Sequence, residues 1–136
     1  VLEPLIPPTG DITERSDVDR KNPAPSSWCN LKVDNRTALD LKFAWHRDPV
    51  NPLEIANSVQ SVSRLEMPEH ATADFSMVVG NDGAIATGPC RTQGGAYFTL
   101  SVLLKDSNTT DTGYRRDIET FMRAYFPATV KTLQCE

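Results

Sequence analysis

Histidine is scarce in this chain, with two in 136 residues. A zinc site needs three or four ligands, and neither His46 nor His70 has a second ligand at motif spacing. The three cysteines, Cys29, Cys90 and Cys135, lie far apart without a Cys-x-x-Cys pair, which argues against a zinc or redox motif. No Gly-x-Ser-x-Gly elbow is present to raise a serine nucleophile. No Gly-x-Gly-x-x-Gly or Walker pattern surrounds Gly94-Gly95 to cradle a phosphate. No cofactor is therefore expected. Basic runs are missing too. The chain has 14 Lys and Arg against 18 Asp and Glu, a formal charge of −4, so nucleic acid is not an expected partner. No apolar stretch approaches the roughly 18 residues of a membrane helix. The chain opens on Val1 rather than Met, so a signal peptide or membrane anchor would have to lie upstream, and a membrane is expected to be reached only through such a segment.

What is present suits one domain with a real core. Residues 96–104 alternate cleanly: Phe98, Leu100, Val102 and Leu104 fall on one face, and Tyr97, Thr99 and Ser101 on the other. Side chains on a strand point to opposite faces in turn, so this period of two predicts a half-buried strand. Gly94-Gly95 supplies the positive φ of a hairpin turn back to the strand that holds Cys90. From Tyr114 the spacing becomes helical, with Ile118, Phe121, Met122 and Tyr125 on one stripe. The apolar strand face and this stripe are expected to pack together as plain core. Pro127 is expected to kink or end the helix near Phe126, since it removes a donor and crowds the preceding turn, with one more helical stretch over residues 128–133. Asp111 or Thr112 is placed to cap it.

Upstream, residues 28–33 and 39–45 also alternate, with Asp34-Asn35 as turn formers between them, and predict a second hairpin. Asn51-Pro52-Leu53-Glu54 carries a helix start: Asn as N-cap, Pro in the first helical position, Glu three residues after the cap. A helix over 52–64 is predicted. Residues 75–79 read as a short strand, and Gly80-Asn81-Asp82-Gly83 as a turn. Pro89 cannot donate to a ladder and belongs on an edge or a bulge. Residues 1–27 hold prolines at 4, 7, 8, 23 and 25 and little periodicity beyond one helical turn at Leu2, Leu5 and Ile6; they read as an extended arm or stalk. Residues 28–136 form one α+β domain, a mainly antiparallel sheet of about five strands with a C-terminal helix packed on one face.

Each chemical candidate has a plainer reading beside it. His46, in Trp45-His46-Arg47-Asp48, has the makings of a general base oriented by Asp48, but such a residue is more often a polar strand end. His70 sits in a Pro-Glu-His loop with the same reading. Cys90 with a histidine would suit a thiol enzyme, yet a strand cysteine more often serves a disulfide. The loop at residues 80–83 offers too few oxygens for calcium, which takes six to eight. Asn35-Arg36-Thr37 and Asn108-Thr109-Thr110 match a glycosylation sequon, which matters only in a secreted eukaryotic protein. Two of the three cysteines are expected to pair, which implies an oxidising compartment. The odd one is then a thiol or is bonded upstream of Val1.

Ser27-Trp28-Cys29-Asn30-Leu31 on a first strand and Gly88-Pro89-Cys90-Arg91 on a later one carry a resemblance. With the strand at residues 97–102 and the closing helix at 117–133, the order of features resembles small extracytoplasmic domains of actinobacterial lipoproteins and membrane-anchored secreted proteins. Those domains look similar to PsbP-like sandwiches, a central antiparallel sheet with helices on its faces. The resemblance covers residues 28–135 and implies a disulfide between Cys29 and Cys90, leaving Cys135 over. The competing pair, Cys90 with Cys135, would tie the last helix to the sheet. The resemblance brings no catalytic residues.

The expectation is a non-enzymatic, extracytoplasmic binding or interaction module for an unidentified protein or small molecule. Tyr97, His46 and Trp45 form the candidate binding surface. An enzyme or enzyme inhibitor of the cell envelope is the alternative, and a structural spacer the third reading. A deep pocket joining His46 to a carboxylate would favour the enzyme, a shallow apolar groove beside Tyr97 the binding module, and a uniformly polar surface the spacer.

Overall fold

A computed structural model describes residues 12–16, 26–33, 36–57, 65–71, 74–92, 95–104, 113–133 and 135. Its strands are β1 (Ile12–Ser16), β2 (Ser26–Val33), β3 (Arg36–His46), β4 (Glu69–Ala71), β5 (Ser76–Val79), β6 (Gly83–Thr92) and β7 (Gly95–Leu104), and its helices α1 (Pro52–Asn57) and α2 (Arg115–Thr132). All the strands join one antiparallel sheet in the order β1-β2-β3-β7-β6-β5-β4. The fold is α+β, as expected, with seven strands among the described residues rather than about five. The additions are the two edges. β1 comes from the stretch read as an arm and pairs with β2 from Ile12↔Val33 to Ser16↔Cys29. β4 is three residues, Glu-His-Ala, without any apolar alternation to announce it.

The two expected hairpins are β2–β3 and β6–β7, and β3 and β7 pair side by side at the centre. One face carries Leu39, Leu41, Phe43 and Trp45 of β3, Phe98, Leu100, Val102 and Leu104 of β7, Ala84 and Ala86 of β6, and Met77 and Val79 of β5, all buried in one cluster. α2 completes that cluster with Ile118, Phe121, Met122 and Phe126, which recur at three- and four-residue spacing on one stripe. Its axis lies over β6 and β5, and it reaches β7 through large side chains: the Phe98 and Phe126 rings stack at 5.9 Å. Pro127 does not end the helix, which runs on to Thr132. The bond that Pro127 forgoes is the one to the carbonyl of Arg123, and both residues face solvent, where water can take that carbonyl.

The opposite face is covered as well. Ala56 of α1, with Leu65, Val78, Ile85 and Leu103, makes a second buried cluster. β7 is therefore buried on both faces from Phe98 to Leu104, not on one as the alternation predicted. Thr99 tolerates this because its hydroxyl donates to Thr87 Oγ1 at 3.3 Å, and Thr87 in turn donates to the Phe98 carbonyl at 3.1 Å. α1 begins as its sequence indicates: the Leu53 amide donates to the Asn51 side chain at 3.0 Å. The predicted continuation over 58–64, the turn at Asp34-Asn35, Gly94, the caps Asp111 and Thr112, the sequon asparagines Asn35 and Asn108 and the helical turn at residues 2–6 lie outside the described residues.

Two devices lock the end of the sheet nearest the start of α2. The turn at residues 80–83 closes with the Gly80 amide on the Gly83 carbonyl at 2.8 Å. A Cβ on Gly80 would sit 2.8 Å from the Glu66 carbonyl, so only glycine lets the chain around Glu66 lie against this turn. Arg115, at the head of α2, donates to the Met67 carbonyl and Asn81 Oδ1 at 2.8 Å each and to the Val79 carbonyl at 3.0 Å. The clamp holds Met67 in a left-handed conformation, φ 51°, that costs a non-glycine residue energy.

Leu100 is 0% exposed, and Leu100→Ala is expected to lower the unfolding free energy by about 2–5 kcal/mol in urea titration. Arg115→Met should cost about 1.5–3 kcal/mol, because three acceptors lose a charged donor. A loss under about 0.5 kcal/mol would show that water replaces the guanidinium freely.

Candidate functional site

The register decides what stands beside what. Tyr97 of β7 lies directly opposite His46 of β3 on one side and Pro89 of β6 on the other. The next row along the strands on that same face is Ala44, Thr99, Thr87 and Ser76. Thus a row with rings on three adjacent strands runs beside a row in which three of the four side chains carry hydroxyls, the two separated by about 6.8 Å, two residues of strand rise. These rows belong to the face that α1 partly covers, beyond the end of the cluster around Val78, Ile85 and Leu103.

A groove of about 480 Å³ opens there. Tyr97, Pro89, Gly88 and Thr87 line its middle. Pro49 and Val50, just past β3, border one end, and Asp74, Phe75 and Ser76 border the other. The volume falls in the range of ligand pockets, about 300–1,000 Å³, and the lining mixes apolar rings with a few polar groups in the usual way. A smaller hollow of about 280 Å³ lies on the far side of Pro89 and Tyr97, lined also by Arg91, Ala96 and the cysteines Cys90 and Cys135.

The three residues expected to form a binding surface are not all on it. Tyr97 is, half-buried and shared by both hollows. Trp45 is not: it is 9% exposed, on the α2 face, with its ring 5.1 Å from that of Phe98. The alternation that groups it with Leu39, Leu41 and Phe43 is the reason. His46 stands opposite Tyr97 but lines neither hollow; it is half-buried, with Nε2 out of contact with water and without a hydrogen-bond partner. Its neighbour Asp48 is exposed. His70 lies on edge strand β4, four strand spacings from β3, about 19 Å, so the two histidines cannot share a site. Among the described residues, no group of three His, Cys, Asp or Glu side chains is placed to hold a metal ion. The lining residues that sequence reasoning missed, Asp74, Ser76 and Thr87, carry no motif; only the strand register brings them together.

The disulfide is a correction. Cys90 bonds Cys135, with Cα atoms 5.0 Å apart, and not Cys29. Cys29 on β2 and Cys90 on β6 are separated by β3 and β7. Three strand spacings make about 14 Å, twice the roughly 7 Å beyond which two cysteines cannot be joined. Cys29 instead packs in the α2-side core. The bond that forms ties the end of α2 to β6 beside the groove. A disulfide of this kind persists in oxidising, extracytoplasmic surroundings. No helix among the described residues is long and apolar enough to cross a membrane.

No family model matches this chain, and neither does any curated protein or solved structure.

Cys135→Ser is expected to lower stability by about 2–4 kcal/mol, since the bond closes a loop of 45 residues in sequence separation. Peptide mapping without reductant should return the Cys90–Cys135 peptide. A Cys29-containing bridged peptide would contradict the strand order itself.

Proposed function

We propose that this chain is a non-enzymatic, extracytoplasmic binding module whose ligand sits in the groove beside Tyr97. The observation that carries the reading is the groove itself: shallow, floored by the paired strands β6 and β7 with Tyr97 and Pro89, and bordered by Pro49 and Val50 at one end and Asp74, Phe75 and Ser76 at the other. Such a lining holds a ligand by contact area. The polar groups present are few, and the Thr87 hydroxyl is already engaged with the Phe98 carbonyl. Proton transfer or nucleophilic attack would call for a base within hydrogen-bond reach of a second reactive group, whereas this lining offers one carboxylate, Asp74, and neither histidine nor cysteine. The cysteine bridge supports export from the cytoplasm, as a secreted or membrane-anchored chain. The element order and the antiparallel sheet with helices on both faces support a likeness to the extracytoplasmic lipoprotein domains of the PsbP-like type, though the cysteines pair otherwise than that likeness implies.

The test is a titration of the ¹⁵N-labelled protein with a library of small ring-containing fragments. Amide shifts should concentrate at Thr87, Gly88, Tyr97 and Ser76, and Tyr97→Ala should weaken the best fragment at least about tenfold while leaving the melting temperature within a few degrees. Shifts gathered on another face, or an unchanged affinity in Tyr97→Ala, would refute the groove as the binding site.

A further inference from the structure

We infer that the Cys90–Cys135 bridge is an exchangeable disulfide. A small-molecule thiol attacks it at Cys135 from the hollow beside Arg91, and its opening releases the end of β6 next to the groove while the rest of the fold stays closed. That this stretch borders a binding site rests on the groove reading above; the opening itself needs no ligand to be seen.

β6 loses its strand partners where the bridge sits. β5 pairs it only from Val79↔Ala84 to Ser76↔Thr87. β7 pairs it as far as Pro89↔Tyr97 and again at Thr92↔Gly95, with a shift of register between. Cys90 and Arg91 lie inside that shift, two residues against Ala96 alone, which is the form of a β-bulge. Among the described residues, neither therefore has a strand residue in register on either side. What holds this stretch is the burial of the Cys90 side chain, 1% exposed, and its bond to Cys135 beyond the end of α2. The bridge stands in for the missing strand pairing.

α2 keeps its other anchors without the bond. Arg115 ties its head to the Met67 and Val79 carbonyls, and Ile118, Phe121, Met122 and Phe126 are buried. Past Phe126 the packed residues Val130 and Leu133 are only half-buried. Opening the bond thus frees the last turn of α2 and residues 90–91, a local event below the cost of global unfolding. Pro89 and Tyr97, which line the groove and the hollow alike, lie beside the freed residues.

The two sulfurs are not equally open. Cys90 is buried, whereas Cys135 is half-buried at the hollow of about 280 Å³. Exchange depends on which sulfur an attacking thiolate can reach. Arg91 is exposed and is the one charged side chain of that lining, so the hollow favours the approach of an anion. The thiolate bonds to Cys135 Sγ as the Sγ–Sγ bond breaks, and the electron pair leaves on Cys90 Sγ, which takes a proton from water. A second thiol attacks the outer sulfur of the mixed disulfide. It forms the reductant's own disulfide and expels the Cys135 thiolate, which is protonated in turn. Two electrons pass from two thiols to the bridge.

The experiment treats the full chain with reduced glutathione. Thiols are capped with N-ethylmaleimide under native conditions and mapped by mass spectrometry; an acid-quenched sample preserves the mixed disulfide. Cys90 and Cys135 should be capped while Cys29, 6% exposed, is not. The glutathione adduct should sit on Cys135 at least about tenfold more often than on Cys90. Hydrogen exchange of the Cys90 and Arg91 amides should quicken at least about tenfold on reduction, with Leu100 and Val102 unchanged. Cys135→Ser should show the same fast exchange without any thiol. Arg91→Ala should slow the reduction about threefold or more. Capping of Cys29 together with the other two would overturn the inference, since the bridge would then open only on unfolding. So would adducts shared equally by Cys90 and Cys135, exchange at residues 90–91 that reduction leaves unchanged, or an unaltered rate in Arg91→Ala. If no ring-containing fragment binds and exchange still quickens at residues 90–91, the groove reading falls and the exchangeable bridge stands.

Discussion

Everything in this sheet depends on β7 being buried from both sides. Between Phe98 and Leu104 no residue is exposed. A strand in that position must satisfy its backbone through two neighbours and its side chains through two covers, and the chain supplies all four. β3 and β6 flank it, α2 and its cluster lie on one face, and the cluster of α1 with Leu65 on the other. Phe98 is the point where these meet: its ring touches Phe43 and Trp45 of β3 and Phe126 of α2 at centroid distances of 5.1 to 6.2 Å. Offset and tilted ring contacts of this kind add about 0.5–1.5 kcal/mol each beyond burial.

The groove follows from how far the covers extend. α1 and Leu65 close the second face over Val78, Ile85 and Leu103. Moving along β6 from Ile85 one meets Thr87 and then Pro89, and there the lining is a groove rather than a helix. On the other side of the sheet those same residues are supported. A Cβ on Gly88 would lie 3.5 Å from the Phe126 ring, ordinary contact distance, so the strand is backed by α2 where the groove opens above it.

How much of this the sequence discloses depends on how local the signal is. The hairpin arms, the stripe of α2, the Asn51 cap and the turn at residues 80–83 follow from periodicity or from a few adjacent residues, and the structure bears them out. The edge strands escape that reading because β4 is too short to show a period and β1, Ile-Thr-Glu-Arg-Ser, is mostly polar. The disulfide escaped it for another reason. Cys29 and Cys90 each sit in a strand, but whether two strands are neighbours is a property of sheet order, and two other strands come between them. The groove is the same kind of fact. Tyr97 was readable as a polar-face aromatic, whereas Pro89 beside it and Thr87 and Ser76 in the next row are joined to it only by register. Trp45 is the opposite case: it was expected on the binding surface, although its period of two groups it with Leu39, Leu41 and Phe43, and it lies in the core with them.

The groove is also built to keep its shape without an occupant. Pro89 is fixed in φ by its own ring, and the next residue, Cys90, is 1% exposed and bonded to Cys135, so this stretch of β6 is held to the end of α2. Gly95, at φ 155°, lets β7 start so close to β3 that a Cβ there would sit 2.6 Å from the His46 carbonyl. That approach sets Tyr97 two residues later in its register opposite His46 and Pro89. A ligand entering between such walls meets groups already in place, and the entropy of ordering them was spent when the chain folded. For a ligand of the proposed groove, part of the cost of association would thereby be removed, and a shallow surface with little enclosed area could still bind selectively.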